Sequence, residues 1–435
     1  MEIFLNFEVI RERENQMIKL KKDIKRCKVK RNIKSKSKSD RAITLIALIV
    51  TIIVLLILAG VTINSVVGTD GVIKKSKASI NEYKKKSEEE EKSTKELENI
   101  IDEDVNETQE KYLKSGEYAT NTDMYSDGTS LAVIPAGFTV SGMVSESKVS
   151  SGLVIYKGDL SKADWSTGKD ASGNDIKRTY NQYVWIPCTE EEYKRTEWGV
   201  EADGSSKASK DETTLGSVTL SDYDKGNGIT NDTLKEIVNQ ISSEKNSVKK
   251  YGGFYIGRYE VGEGNVISQY KEPSASLIWS KAYENAKNID VGSASVSHLS
   301  SSYAIDTALN FIQNNSEFKT YASTRDNVNE NWYDKRVTYT DANGASQIKA
   351  EGNATRLPTG ATTAKCNIYD MGGNVAEFTT ELNPLTNGDN DATVVLRGGA
   401  WDTATWLDGA AGFRWDDFSA SADASRGFRT TLFIK

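Results

Sequence analysis

The chain has 435 residues, with 55 Lys and Arg against 62 Asp and Glu and a formal net charge of −7. It contains one histidine, His298, and three widely spaced cysteines, Cys27, Cys188 and Cys366. This composition excludes a zinc site with several His ligands, a CxxC redox pair and a disulfide-rich scaffold. The length allows two or three domains.

The N-terminal leader, residues 1–42, is strongly basic. Residues 1–41 hold 14 Lys and Arg against 6 Asp and Glu, and the basic excess is concentrated between Lys19 and Arg41. Because an apolar run follows directly, we interpret this charge as a determinant of membrane topology and not as a nucleic-acid-binding arm. Either Met1 or Met17 is the natural start.

The apolar run covers residues 43–63, ITLIALIVTIIVLLILAGVTI. It carries no charge, and 15 of its 21 residues are Ile, Leu or Val. As a helix it is about 30 Å long, which is the thickness of a bilayer hydrocarbon core. We therefore predict one transmembrane helix within residues 43–67, with the basic leader in the cytoplasm and the rest of the chain at the cell surface.

The start of this run resembles the processing site of type IV pilins and pseudopilins. The residues AITLIA at 42–47 carry the resemblance, which implies cleavage by a prepilin peptidase between Ala42 and Ile43. Pilins usually have Glu at the fifth position after the cut, where this chain has Ala47. The absence of that carboxylate favours a pilin-like anchor. A minor pilin or pseudopilin subunit is the alternative.

A charged segment, residues 68–128, follows the predicted membrane helix. It is rich in Lys and Glu, and its apolar residues are too irregular for a sustained heptad pattern. We predict a helical or partly disordered stalk that spaces the following domain away from the membrane.

Residues 129–435 have the pattern of an α+β domain with many loops. Short apolar runs separated by Gly, Ser, Asn and Asp predict strands, and two segments with apolar residues at helical spacing predict helices. Low-complexity stretches at 202–215 and 291–302 predict exposed insertions. The predicted strands lie within 131–138, 152–156, 183–188, 252–261, 394–401 and 429–435, and the predicted helices within 277–288 and 303–314.

Six motifs in this domain, in this order, resemble the sulfatase-modifying-factor family. The resemblance implies a formylglycine-generating-enzyme type of C-type lectin fold. We expect the arginines of the motifs, Arg397, Arg414 and Arg429, to make structural salt bridges or to bond loop carbonyls. The motifs are GGFYIGRYEV at 252–261, IWSKAYENA at 278–286, RLPTG at 356–360, NIYDMGGNVAEF at 367–378, LRGGAW at 396–401 and RGFR at 426–429.

Departures from the family argue against catalysis. The formylglycine-generating enzyme uses a cysteine pair after the RGG motif, whereas residues 400–425 contain no cysteine. One histidine cannot supply the ligands of the related iron enzymes. We therefore predict a protein that is not an enzyme, and an enzyme with non-cysteine chemistry is the alternative. Cys188 and Cys366 form either a disulfide or two free thiols.

The segment between the RGGAW and RGFR motifs, residues 401–426, is here called the C-terminal stretch. Retroelement-diversified proteins of the same fold use the corresponding segment to bind ligands, so the resemblance implies a binding surface of the kind that retroelements diversify. The segment combines aromatic anchors with short polar groups, as recognition surfaces do. The candidate ligand contacts are Trp401, Asp402, Thr403, Thr405, Trp406, Asp408, Arg414, Trp415, Asp416, Asp417 and Phe418.

The same resemblance implies a structural calcium ion, since members of the fold often hold one near the motif that contains Asn374 and Glu377. Oxygen atoms of both side chains suit a hard cation. Glu377 could equally accept a hydrogen bond from a backbone amide, so both roles stay open. Taken together, the sequence predicts a membrane-anchored, extracytoplasmic recognition protein whose ligand is an unidentified extracellular protein or glycan.

Overall fold

The computed structural model describes residues 112–196, 198, 211–218, 220, 225, 227–324, 329–384, 392–403 and 410–435, together with Lys92. The chain divides into two units, Met1–Leu97 and Glu98–Lys435. The predicted leader, the membrane helix 43–67, the processing site at Ala42 and Ile43 and most of the stalk lie outside the described residues. Within the described ranges, no helix is long and apolar enough to cross a membrane.

The described part of the chain is built mainly of strands, with a few helices. The strands are β1 Tyr112–Leu113, β2 Asp123–Ser126, β3 Leu131–Ile134, β4 Phe138–Val140, β5 Val154–Lys157, β6 Gln182–Pro187, β7 Gly253–Gly257, β8 Ser295–Leu299, β9 Val337–Thr340, β10 Ser346–Lys349, β11 Ala376–Pro384, β12 Ala392–Arg397, β13 Arg414–Phe418, β14 Arg426–Phe428 and β15 Thr430–Ile434. The α-helices are α1 Ile176–Thr179, α2 Asn231–Tyr251, α3 Trp279–Lys287 and α4 Ser302–Gln313. Short 3₁₀ helices cover Val144–Glu146, Val149–Ser151, Glu212–Ser217 and Ser316–Phe318.

A six-stranded antiparallel sheet organises the fold, with strand order β4-β5-β6-β7-β15-β8. The last strand of the sequence, β15, therefore lies between β7 and β8. Side chains alternate across the sheet as strand geometry requires. In β6, Tyr183 and Trp185 enter one apolar cluster, whereas Val184 and Ile186 enter the other. Both faces of the central strands are thus buried.

Different layers cover the two faces of this sheet. Helix α4 packs on the face of Val184 and Ile186, and its apolar residues belong to the same cluster. Helix α3 and strands β11 and β12 pack on the opposite face. Strands β11 and β12 belong to a four-stranded sheet of order β13-β12-β11-β14, in which β14 runs parallel to β11. This second sheet contains β13, which belongs to the segment between the RGGAW and RGFR motifs.

The α+β class predicted from sequence is confirmed. Strands β3, β5 to β7, β12 and β15 overlap the predicted segments, and helices α3 and α4 overlap the two predicted helical segments. Strand β4 shares only Phe138 with the predicted segment 131–138. The predictions succeed there because these elements bury a regular apolar pattern. Two smaller sheets, β1-β2-β3 and the hairpin β9-β10, complete the described strands.

Helix α2 was not predicted, because its sequence is polar and only a narrow apolar stripe is buried. Its ends nevertheless carry clear signals. Thr230 and Thr233 form a capping box at the N-terminus, and Gly252 ends the helix in a left-handed conformation. Buried residues such as Ile237 and Ile241 fix the helix against the core.

Two boundaries differ from the sequence prediction. The stretch 291–302, predicted to be an exposed insertion, contains strand β8, and Ser300, Ser301 and Ser302 are buried. Strands β1 and β2 lie within residues 112–126, which the prediction assigned to the stalk. The folded domain therefore starts before residue 129. The sequence did not predict β1, β2 and β8 because these strands pair through the backbone and bury few apolar side chains.

Candidate functional site

A glycine pair starts the C-terminal stretch. Strand β12 ends at Arg397, and Gly398 and Gly399 follow with φ of +82° and +69°. A Cβ atom on Gly398 would lie 2.6 Å from the carbonyl oxygen of Met371, and one on Gly399 would lie 2.5 Å from Trp332 Cζ3. Side chains are excluded at both positions. The RGG motif thus lets the backbone approach its neighbours closely.

Backbone and side-chain hydrogen bonds then fix the next residues. The Trp401 N–H donates to the Asn374 carbonyl oxygen over 2.9 Å. The Ala400 N–H donates to Thr403 Oγ1 over 2.8 Å, and Thr403 is buried. Thr403, a predicted ligand contact, therefore holds the turn from inside.

A closed cluster of four buried charged residues, here called the ion cluster, joins the stretch to the scaffold. Arg397 donates to Glu381 Oε1 over 2.7 Å and also to Asp306. Arg414 donates to Glu381 Oε2 and Asp306 Oδ2, each over 2.7 Å. All four side chains are at most 2% exposed. Two guanidinium groups thus balance two carboxylates in the core, and Arg414 is internal.

A third carboxylate, that of Glu212, lies beside the ion cluster. The Arg195 guanidinium lies 3.6 Å from Glu381 Oε2 and 3.8 Å from Glu212 Oε2. Burial of Glu212, and then the neighbouring Glu381, raise the pKa of Glu212 to about 7. Arg414 also donates to the Thr196 carbonyl oxygen over 3.0 Å. The segment around residues 195 and 196 is therefore tied to the same cluster.

A small aromatic and charged surface lies outside the ion cluster. Arg426 lies over the ring of Trp415, with 5.6 Å to the ring centroid, and pairs with Asp417 over 2.5 Å. Trp415 is half-buried and packs against the core cluster. These three residues are held in fixed relative positions and still reach solvent, which is the arrangement of a preorganised contact surface.

Asp402 adds a carboxyl group to this region. The residue is exposed as a whole, yet its carboxyl group is partly enclosed. This partial burial, and then the carboxylate of Asp423, raise the pKa of Asp402, although Ser425 and Arg426 oppose the shift. The region thus holds acidic groups close to one arginine.

The structure divides the predicted ligand contacts into four groups. Trp401, Asp402, Trp415 and Asp417 reach the surface, whereas Thr403 and Arg414 are buried. The backbones of Asp416 and Phe418 lie in β13 and pair with β12, but their side chains are outside the described part. Thr405, Trp406 and Asp408 lie outside the described residues altogether.

The two residues predicted to bind calcium already have N–H partners. Asn374 Oδ1 accepts from the Leu357 N–H and from Asn331 Nδ2, each over 3.0 Å. Glu377 Oε1 accepts from Arg429 Nε over 2.8 Å. A site occupied by an arginine and by amide donors does not fit a hard cation. Across the described ranges, no group of three or more His, Cys, Asp or Glu could hold a metal.

The two described cysteines are buried free thiols. Burial raises the pKa of Cys188 to about 12 and also raises the pKa of Cys366. Of the two states left open by the sequence, the structure has free thiols. Since the thiolate is the nucleophilic form, neither thiol is activated.

Comparison with known proteins gives no family. No protein-family model matches the chain, and no curated protein matches it. Among solved structures, the chain is similar to CarF, with a TM-score of 0.29 and 14% identity over 42% of this chain and 87% of that chain. It is also similar to variable protein 1 of Treponema denticola, with a TM-score of 0.22 and 14% identity over 58% of this chain and 85% of the other. These TM-scores are too low to assign a shared fold.

The sequence did not identify the acidic partners of the ion cluster. Asp306 lies in the middle of the largely apolar helix α4, and Glu381 lies in β11. An acid on a buried helix face requires a cationic partner, so Asp306 was a detectable signal. The partner itself could not be found without the fold.

Proposed function

We propose that this protein is a membrane-anchored recognition protein that presents its C-terminal stretch to an extracytoplasmic protein or glycan. The anchor is the apolar run 43–63, and residues 68–111 are the spacer. The binding surface includes Trp401, Asp402, Trp415 and Asp417. No chemical step takes place on the bound ligand.

The observation that carries this proposal is the way the stretch is fastened. The ion cluster holds Arg397 before the stretch and Arg414 within it. After the stretch, Arg429 donates to Glu377 and to the Gly257 carbonyl oxygen over 2.8 Å each. Each of these buried guanidinium groups bonds at least two acceptors, and such contacts fix the position and direction of the side chain. A surface segment held firmly at several points can vary or bind without disturbing the core.

The composition of the exposed part supports recognition. Trp401 and Trp415 provide large rigid contact areas, and Asp402, Asp417 and Arg426 provide hydrogen-bonding groups. Such a mixture gives affinity at a low cost in side-chain entropy. The buried thiols of Cys188 and Cys366 support the absence of redox catalysis.

The finer fold belongs to the same proposal. We assign residues 112–435 to a formylglycine-generating-enzyme type of C-type lectin fold, because six sequence motifs occur in the order of that family. The glycine pair of the RGG motif is needed for the backbone path seen here. The cell-surface location of this domain follows from the basic leader and the charge-free run after it.

A binding screen tests the proposal directly. The full-length chain in detergent is applied to a glycan array and to a library of extracellular proteins, and the Kd of each hit is measured. We expect the double variant Trp406→Ala and Trp415→Ala, and the single variant Asp402→Ala, to weaken binding at least about tenfold. Asp232→Ala, a fully solvated acid on α2, is the matched control and keeps wild-type affinity.

Two outcomes contradict the proposal. In the first, the double variant and Asp402→Ala bind every hit with the wild-type Kd, as the control does, and keep the wild-type melting temperature. The binding surface then lies elsewhere. Turnover of a cysteine-containing peptide by the chain loaded with copper or iron establishes the enzymatic alternative instead.

A further inference from the structure

A pocket, here called the β8-edge pocket, lies beside β8, which is an edge strand of the six-stranded sheet. Its lining residues all lie outside the C-terminal stretch. Its volume is about 370 Å³. Strand β8 forms its floor, and helices α2 and α3 form its walls. Asn239 and Ser243 line one wall, and Tyr283 and Lys287 line the other. This volume falls within the range of sites for small molecules.

The edge of β8 supplies backbone groups to the floor. The Ser300 N–H donates to the Arg429 carbonyl oxygen, and the Lys435 N–H donates to that of Ala294, so the even-numbered residues of this strand pair with β15. The N–H and C=O groups of the odd-numbered residues therefore point away from β15. One of them, the Leu299 carbonyl oxygen, accepts from Gln240 Nε2 over 3.2 Å.

Ser297 lies between these positions and lines the pocket. Its backbone N–H and C=O point toward the pocket by the same alternation. Its buried hydroxyl has no hydrogen-bond partner within the described part of the chain. The floor thus offers a donor and an acceptor side by side, with a further hydroxyl beneath them.

The only histidine of the chain lines the same pocket. His298 Nδ1 lies 2.9 Å from Glu244 Oε1, and Glu244 is fully buried. Glu244 also accepts from Tyr193, over 2.6 Å, and from Ser301, over 3.0 Å. Nδ1 is therefore engaged with the Glu244 carboxylate. The other ring nitrogen, Nε2, is left for a ligand group.

The lysine that lines the pocket is already paired. Lys287 Nζ donates to Glu236 Oε2 over 2.7 Å, and the Tyr283 hydroxyl donates to the same oxygen over 3.3 Å. The lining residues therefore offer no unpaired lysine to an anionic ligand. A hydroxyl group both donates and accepts, so it can bond His298 Nε2 and also accept from a backbone N–H.

We propose that the β8-edge pocket binds a small neutral ligand rich in hydroxyl groups, of the size of a monosaccharide or comparable polyol. The site is separate from the C-terminal stretch and does not depend on the function proposed for it. The ligand hydroxyls bond to Ser297, Asn239 and His298.

Saturation-transfer NMR on the full-length chain tests this site. The probes are glucose, galactose, mannose, N-acetylglucosamine and glycerol at millimolar concentration, with glucuronate as the anionic counterpart. Ser243→Phe fills the pocket from an exposed helical position, and Ser242→Phe is the matched control, since Ser242 is exposed and does not line the pocket. We expect at least one neutral probe to bind the wild type and the control equally, and to bind Ser243→Phe at least about tenfold more weakly.

The variant Asp402→Ala distinguishes this site from the C-terminal stretch, because it leaves the β8-edge pocket intact and keeps the probe signal. Absence of binding by every neutral probe overturns the proposal. Equal binding by Ser243→Phe and Ser242→Phe, or stronger binding of glucuronate than of any neutral probe, overturns it as well.

Discussion

Arg414 illustrates how the environment of a single residue decides its role. Its guanidinium group donates to Glu381, to Asp306 and to the carbonyl oxygens of Thr196 and Trp198. These four acceptors account for most of its five donors, and the side chain is buried. The residue is therefore part of the support beneath the proposed binding surface.

Replacing Arg414 by Met tests this support. The substitution keeps the volume but leaves Asp306 with the guanidinium of Arg397 alone in the core, while Glu381 keeps Arg397 and Arg195. We therefore expect a loss of about 3–5 kcal/mol in the free energy of unfolding. Urea denaturation followed by circular dichroism measures it. Lys249→Met breaks an exposed pair with Glu190 and should cost at most about 1 kcal/mol. Equal losses in the two variants would show that Arg414 in the ion cluster stabilises the fold no more than an exposed ion pair does.

Glu212 makes stability depend on pH in a defined direction. Its pKa rises from 4.5 to about 7 on folding, so the native state binds the proton more tightly than the unfolded state. The resulting stabilisation is fully present below pH 4.5 and is lost as the pH rises through about 7. Between these pH values, we expect Glu212→Gln to release about one proton fewer on unfolding than the wild type does.

Unfolding free energies from urea titrations at pH 4.5 to 7.5 measure this dependence. The exposed Glu190→Gln serves as the control and keeps the wild-type slope. Glu260 and Glu377 also have raised pKa values, caused first by burial, so a smaller slope of the same sign persists in Glu212→Gln. An unchanged slope in Glu212→Gln would contradict the assignment. Below pH 4.5 the slope reverses, because Arg258 and Lys177 outweigh burial and lower the pKa of Glu146 to about 2.

At the scale of elements, the turn after β12 determines where the C-terminal stretch begins. Gly399→Ala would place a Cβ atom 2.5 Å from Trp332 at a positive φ. Gly344→Ala has a similar φ of +83° but meets no atom within 4 Å. The comparison therefore separates backbone strain from steric contact.

We expect Gly344→Ala to cost about 1 kcal/mol in the free energy of unfolding and Gly399→Ala about 3 kcal/mol or more. Thermal and urea denaturation give both values. Tryptophan fluorescence should also change in Gly399→Ala, since the indole of Trp332 must move. A loss no larger than that of Gly344→Ala would mean that the turn relaxes freely.

Elements were predictable where an apolar pattern had the right period. β6 and β7 are short apolar runs, and α3 and α4 bury apolar residues at helical spacing, so their positions followed from composition. By contrast, α2 and β8 hold their places through caps, backbone pairing and a few buried side chains. A serine-rich strand such as Ser295–Leu299 has no pattern that distinguishes it from a loop.

At the scale of the whole molecule, the candidate site was predicted as a segment and not as a set of contacts. The sequence located the C-terminal stretch and the structural arginines, because the motifs on either side carry glycine and arginine. It could not separate the half-buried Trp415 from the buried Thr403, since burial depends on layers contributed by distant residues such as Asp306. The pairing of Arg429 with Glu377 was hidden from the sequence for the same reason, because the two residues meet only in the folded chain.

The position of β15 bears on how a cell makes this protein. Its neighbours in the sheet, β7 and β8, are synthesised long before it, and neither can pair with it until Thr430–Ile434 have left the ribosome. During that interval two strand edges stay open and vulnerable to association with other nascent chains. Completion of the central sheet must therefore wait for the synthesis of β15.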